Sequence, residues 1–340
     1  MVKALCKNPL FLTGFLFLFI LFISSIIHTF VFDSYIPEKD VLYEDGQLAA
    51  SSPLTPADYP PLGTNNLGES LFYKVLLGAK WTIGIAFLVA IFRMMISFVL
   101  GIFYGQYLMR FNQMISKIAE SFHYVPMALL AYLLLEPVLM EQGAIGQFEY
   151  SFGTRVIFEV VILTVIALPT TTLKIGSDMT YILRQAFITG AEVMGASRFH
   201  ILKKHIMPHL APKLWIQFAQ QVIQVLIILV HLGLLQLFFG GTDVGMGPGG
   251  TTFTSLSGEW SGLIGKGYQY LEVHPWIPLT PLVMFALAIL AMNFVLEGLK
   301  SASEPHHSRR KTTVNNQHQS APDAGENAFA FVRHNQTHQG

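Results

Sequence analysis

A single cysteine, Cys6, stands in this chain of 340 residues, so no internal disulfide can staple the fold and no thiolate metal cluster can form. Charge is scarce as well. Only 12% of the residues are Asp, Glu, Lys or Arg, about half of the roughly 25% usual in soluble domains, and the two signs cancel to a formal net charge of zero. That balance offers nothing to the phosphate backbone of a nucleic acid, so no nucleic-acid partner is expected. A phosphate-binding loop is also missing: "GLIGKGY", Gly262 to Tyr268, has a Gly-Lys pair but neither the upstream glycine nor the hydroxyl that such a loop needs.

What fills the chain instead is apolar sequence, 52% of all residues. From Asn8 to Phe32 there is no Asp, Glu, Lys or Arg, and about 20 apolar residues suffice to cross the hydrocarbon core. Lys3 and Lys7 precede this run, but it is too long for a signal-peptide core and no small-residue cleavage site follows, so it reads as a retained first span. Five more apolar runs follow at about Lys80 to Tyr107, Phe122 to Met140, Val156 to Leu173, Leu214 to Phe239 and Trp276 to Leu299. The expected class is an all-α polytopic membrane protein with six transmembrane helices. Residues 1–32 hold the N-terminal segment and first span, 33–79 an extracytoplasmic segment, 80–300 the core of spans, and 301–340 a disordered cytoplasmic tail too poor in apolar residues to fold alone.

Lysine and arginine orient the spans. With the N-terminus inside, the loops on that side collect Arg110, Lys117, Lys174, Arg184, Arg198, Lys203, Lys204 and Lys213, whereas the outer segments carry only Lys39, Lys74, Lys80, Arg155 and Lys266. The positive-inside rule then puts both termini in the cytoplasm, with the protein crossing the membrane several times. Outside, "SSPLTPADYPPLGTNNLG" predicts irregular backbone, and Asn66 followed by Glu69 predicts a capped helix start. Asp243, Glu259, Lys266 and Glu272 are expected to be solvated.

The segment "ITGAEVMGASRFHILKKHIMPHL", Ile188 to Leu210, lies in the cytoplasmic loop at about 176–212. Phe187, Ile188, Ala191 and Met194 recur at helical spacing, as do Phe199, Leu202 and Ile206; Gly195, Ala196 and Ser197 make a small corner between them, and Pro208 marks an end. The pattern predicts two short helices around a tight turn, an elbow with Arg198, Lys203 and Lys204 on its outer face. His200, His205 and His209 invite a metal reading, but Pro208 is expected to spoil the face shared by the last two. Within the spans, Arg93, Glu136, Glu159 and His231 are ionisable and therefore candidates for an intramembrane ion pair or a path lining, with snorkelling of the two acids as the plainer alternative. This quartet also keeps an ion-coupled secondary transporter open, although no inverted repeat is evident.

The loop resembles that of permease subunits of ATP-binding-cassette importers. Those carry Glu-Ala-Ala, a glycine four residues on, and Ile-x-Leu-Pro, ending His-Ile-Leu-Pro in the oligopeptide and dipeptide branch; here stand Thr189-Gly190-Ala191, Gly195, Ala196, Ser197 and His205-Ile206-Met207-Pro208. "PLGTNNLGESLFYKVLLGAKWTIGI" (Pro61 to Ile85) is similar to that branch's Gly-Thr-Asp-x-x-Gly-Arg-Asp entry to span two, and "HPWIPLTPLVMFALAILAMNFVLEGLKSASEP" to its ending. Departures are Thr189 and Gly190 for Glu-Ala, Asn65 for Asp, Glu69-Ser70 for Arg-Asp, and His231 where Glu is frequent. The resemblance implies the type I importer permease fold and a partner set: a second homologous permease subunit, two cytoplasmic ATPase subunits that bind the ATP and Mg, and an extracytoplasmic substrate-binding protein. It implies no catalysis and no cofactor in this chain itself. The cargo implied is an oligopeptide or dipeptide, with nickel or a metal chelate as the alternative, and a non-transporting membrane scaffold as a different class of reading.

Overall fold

A computed structural model describes residues 5–44, 47–108, 124–141, 148–247 and 250–303, with positions 114, 116, 117 and 121 isolated between them. The described residues belong to one compact unit that ends at Ser303; the tail expected to be disordered lies almost wholly outside the described residues.

Helix α1, Pro9–Val31, starts where the Asn8 side chain accepts hydrogen bonds from the Leu10 and Phe11 amides at 3.0 and 3.4 Å, with Pro9 in the first turn. Hairpin β1 (Val41–Glu44) and β2 (Gln47–Ser51) follows, and then α2, Leu71–Phe103, prolonged by a π-turn over Tyr104–Leu108. Next come α3 (Met127–Leu139), α4 (Phe152–Val165), α5 (Leu168–Leu183), α6 (Ala186–Val193), α7 (Arg198–Ile201), a π-turn over Leu202–Ile206, and α8 (Met207–Leu234). Hairpin β3 (Thr242–Gly247) and β4 (Gly250–Ser255), the short helix α9 (Trp260–Gly267) and the long α10 (Trp276–Ser303) complete the described chain.

Four helical runs are long and apolar enough to cross a bilayer, Pro9–Val31, Leu71–Gln106, Arg198–Leu234 and Trp276–Ser303, and α4 with α5 make a fifth if that pair, bent by 46°, is one span. The sixth expected run is represented by α3, whose 13 described residues fall short of the ~20 needed. The count of six is compatible with the described residues without being reached in them.

Glycines set the closest helix contact. A side chain on Gly14 of α1 would run into the Ala291 carbonyl of α10, and one on Gly298 would come within 2.6 Å of Phe11 Cβ, so two backbones approach as small residues allow in membranes. The main core joins α2, α8 and α10 through residues such as Ala86, Val89, Leu226, Phe285 and Ala288.

Four local expectations are corrected. Helix α2 begins at Leu71, well before Lys80, and its approach is organised by Asn65 rather than Asn66: the Asn65 side-chain Oδ1 accepts from the Leu67 and Glu69 amides at 2.9 and 3.0 Å while its Nδ2 donates to Glu69. Pro208 does not end a helix; the helical run passes through it, from the π-turn over Leu202–Ile206 into α8. Glu259 is not solvated but buried, capping α9 by accepting from Gly262 N at 3.1 Å and also taking the Phe239 amide and the hydroxyls of Ser255, Ser257 and Ser261. The two β-hairpins were not foreseen in an all-α chain; both occupy segments between spans.

Candidate functional site

Two places stand apart from simple packing: the elbow after α5 and a polar seam that leads from it into the bundle.

The elbow has a buried inner face and an open outer one. Ile188 and Ala191 of α6, Ile201 of α7, Ile206 of the π-turn and Leu210 of α8 are buried together with Met179 and Ile182 of α5, against Phe98 and Ile102 of α2. Burying each such aliphatic side chain stabilises by about 1.5–3 kcal/mol, so the elbow is clamped to three long helices rather than hanging from them. Its corner is a Schellman turn. The Ala196 amide donates to Ala191 O at 3.0 Å and the Gly195 amide to Glu192 O at 2.9 Å, with Gly195 at φ +81°, a conformation that glycine reaches without strain. Ser197 then caps α7, accepting from His200 N at 3.3 Å.

On the outer face Val193, Met194 and Phe199 are 84, 85 and 72% exposed. Thr189, Ser197, Arg198, Lys203 and Lys204 are exposed around them, and space beyond Gly190 and Gly195 is open to 4 Å. Apolar side chains this bare, set among exposed cations and Glu192, are of the kind that meets another protein or a membrane surface. Met194 therefore belongs to this face and not to the inner stripe its spacing suggested. Phe187 collects the rings of His205 and His209, at 6.3 and 5.4 Å between centroids, so the two histidines do share a face despite Pro208. Among the described residues no cluster of His, Cys, Asp or Glu could hold a metal ion.

The seam begins at the elbow. Lys213 donates to Asp178 at 2.6 Å, Gln217 to the same carboxylate at 3.1 Å, and Lys174 to Gln220 at 2.6 Å. Further along α8, Gln221 and Gln224 each accept from Arg93 Nη1 at 3.2 Å. Arg93 is fully buried, and its Nε donates to Leu163 O at 2.8 Å, with Nη2 on the same oxygen. That carbonyl is free because the α4–α5 junction is broken: the Ala167 amide, its helical partner, turns to Thr164 O at 3.3 Å, and Pro169 has no amide to carry the ladder on. Hydroxyls of Ser97 and Thr164 and the Gln217 carbonyl oxygen are buried nearby in sequence with no hydrogen-bond partner, the usual mark of sites that hold water.

The four ionisable residues singled out within the spans are thus not gathered into one cluster. Arg93 is held by a carbonyl and two glutamines, with no carboxylate among its partners. Glu159 is not at the surface to snorkel; it is buried and accepts from the Gly240 amide at 3.1 Å. Glu136 is half-buried in α3. His231 is exposed, its Nδ1 2.6 Å from Ile227 O. Arg155, assigned to the outside, is buried, with its guanidinium 3.5 Å from the centre of the Phe148 ring. Sequence reasoning passed over Gln217, Gln220, Gln221 and Gln224 because they are neutral, although their helical spacing in an apolar span was a signal.

Outside the spans the ionisable groups tie segments together. Burial alone would raise the Glu69 carboxyl, but hydrogen bonds from Lys74 and Asn65 and the charges of Lys74 and Lys266 outweigh it and hold the group below the ordinary carboxylate value. The hydrogen bond to Glu141, with burial, raises Asp243.

Residues 97–309 match the family described as binding-protein-dependent transport system inner membrane component. The chain is 24% identical over 245 residues, 72% of each chain, to the glutathione transport system permease protein GsiD of Pectobacterium atrosepticum. It is 24% identical over 241 residues, 71% of this chain and 72% of the relative, to the peptide transport system permease protein SapC of Escherichia coli O6:H1. A solved structure of the MetNI methionine ABC transporter, inward facing, aligns with 69% of this chain and 98% of its own at 17% identity and a TM-score of 0.49.

Proposed function

Because the chain belongs to the family of binding-protein-dependent transport system inner membrane components, we propose that it is the permease subunit of an ATP-driven importer of short peptides, with the elbow as its contact to an ATPase and the seam as part of its path. Both termini and the elbow face the cytoplasm in this reading, and ATP and Mg bind to the partner subunits. An external binding protein delivers the cargo, and a second permease subunit completes the path. Relatives named for glutathione and peptide transport support the cargo class.

The observation that carries the reading is the two-sided elbow, apolar and open outward, clamped inward to α2, α5 and α8. A partner that closes on Val193, Met194 and Phe199 moves the clamp, and with it the helix that carries Gln221 and Gln224 against Arg93. The glutamines and the guanidinium offer acceptors and donors suited to peptide amides and to a terminal carboxylate.

The test is Gly190→Arg in the complex reconstituted with all its partners. Nothing lies within 4 Å of a side chain placed there, so folding and insertion should match the parent. ATPase subunits should co-purify poorly, or hydrolyse ATP without uptake of a labelled tripeptide, with at least a tenfold loss of transport. Normal uptake and normal stimulation of ATPase activity by loaded binding protein would reduce the elbow to a connector.

A further inference from the structure

The helices leave a cavity of about 700 Å³ between α1 and the face made by α2, α8 and α10. Phe11 to Phe22 line it along α1 and Ile83 to Ile91 along α2, while Trp215 and Met292 close it from α8 and α10; every lining residue is apolar or glycine. With no side chain able to donate or accept strongly, the space suits neither an ordered water nor a polar solute. The twelve residues from Phe11 to Phe22 rise about 16 Å, close to half of the ~30 Å hydrocarbon core. Along that length the cavity is a slot lined by apolar side chains. A hydrocarbon chain fits.

One end of the channel is polar at its rim. Leu5, Trp215 and Leu299 line that end; they lie where α1 begins, α8 begins and α10 nears its end, which is one side of the membrane. Trp215 is 56% exposed there, as an interfacial indole is. Lys7, two residues from Leu5, is exposed and has no acidic partner among the described residues, and Lys300, next to Leu299, is exposed as well, within 3.4 Å of Glu297. Cations at the mouth of an apolar slot complement an anionic headgroup.

We propose that this groove binds one membrane phospholipid with an anionic headgroup, an acyl chain lying between α1 and the α2–α8–α10 face and the phosphate resting against Lys7. The site needs only a bilayer and does not depend on the cargo or the ATPase partners. The bound chain completes the contact between α1 and α8.

Native mass spectrometry of the purified complex, after exchange into detergent with equal amounts of phosphatidylglycerol and phosphatidylethanolamine, should show one retained phospholipid per copy, the anionic lipid favoured several-fold. A phosphatidylglycerol with a photoreactive group in its acyl chain should cross-link to peptides within 11–22 and 83–91. Gly84→Phe fills the channel beside Phe22 and should abolish retention and both cross-links; Lys7→Gln should keep the cross-links and bring the two headgroups to parity. Cross-links spread evenly over all the long helices, or retention unchanged in Gly84→Phe, would overturn the site, and so would an acyl group found covalently on Cys6. Should Gly84→Phe fail to assemble, the cross-link map of the parent decides.

Discussion

Arg93 shows how a full charge can sit inside the bundle without an acid beside it. Leu163 O takes two of its donors, and Gln221 and Gln224 take a third nitrogen. Arg93→Leu leaves the carbonyl with no donor, and a buried unsatisfied acceptor costs about 1–3 kcal/mol. The complex carrying that change should unfold in detergent several degrees below the parent, with Arg93→Lys intermediate because one ammonium can still reach the carbonyl. An unchanged melting temperature would mean that another donor reaches Leu163. At the surface, Glu69 makes a prediction of opposite character. Its folded value lies below the unfolded one, so its contribution is present above about 4.5, the ordinary value, and is lost as pH falls through the folded value. Hydrogen exchange around residues 65–75 should therefore accelerate as pH drops below about 4.5, after correction for intrinsic rates, and Glu69→Gln should flatten that dependence.

The broken helix ties those residue effects to an element. With Pro169 in place the Leu163 carbonyl has no helical partner, and Arg93 supplies one. Pro169→Ala restores a donor to the ladder and favours a straighter junction in which Ala167 N returns to Leu163 O. The cost of Arg93→Leu should then shrink, and a double-mutant cycle should give a coupling of about 0.5 kcal/mol or more; strict additivity would separate the bend from the arginine. The break was hard to read from sequence because apolar residues run on both sides of it, from Val156 to Leu173, and composition registers a span without its angle. The same blindness hid the partners of Arg93 and Glu159, which are backbone groups and neutral amides: a list of charged residues suggests ion pairs, whereas a backbone N–H at Gly240 or a carbonyl at Leu163 has no letter in the sequence. The elbow was more legible. Gly195 between two apolar stripes implies a turn, and Ser197 a cap, because both follow from local stereochemistry. Pro208 misled, since proline disfavours helix in the residue before it, whereas here a π-turn carries the helix through it.

For the whole molecule the first question is orientation, which the lysine and arginine asymmetry answers by expectation. In a Cys6→Ser background a cysteine at Ser197 should resist a membrane-impermeant maleimide in intact cells while one at Ala57 should label, both positions being exposed; labelling of Ser197 from outside would invert the topology. The second question is how the elbow and the seam stay in step. Residues 198–234 form one continuous helical run, about 55 Å at 1.5 Å per residue, with the π-turn at Leu202–Ile206 inside it, where Met207 N bonds to Leu202 O. An extra residue in a helical turn rotates everything beyond it by about 100°. The π-turn thus sets the phase between the face that meets a partner and the glutamines that meet Arg93. Were Leu202–Ile206 to relax into regular α-helix at unchanged length, Gln221 and Gln224 would swing by about 100° away from the arginine, while the chemistry of both ends stayed untouched. In this chain, the winding of the elbow is as much a part of its working identity as the residues it displays.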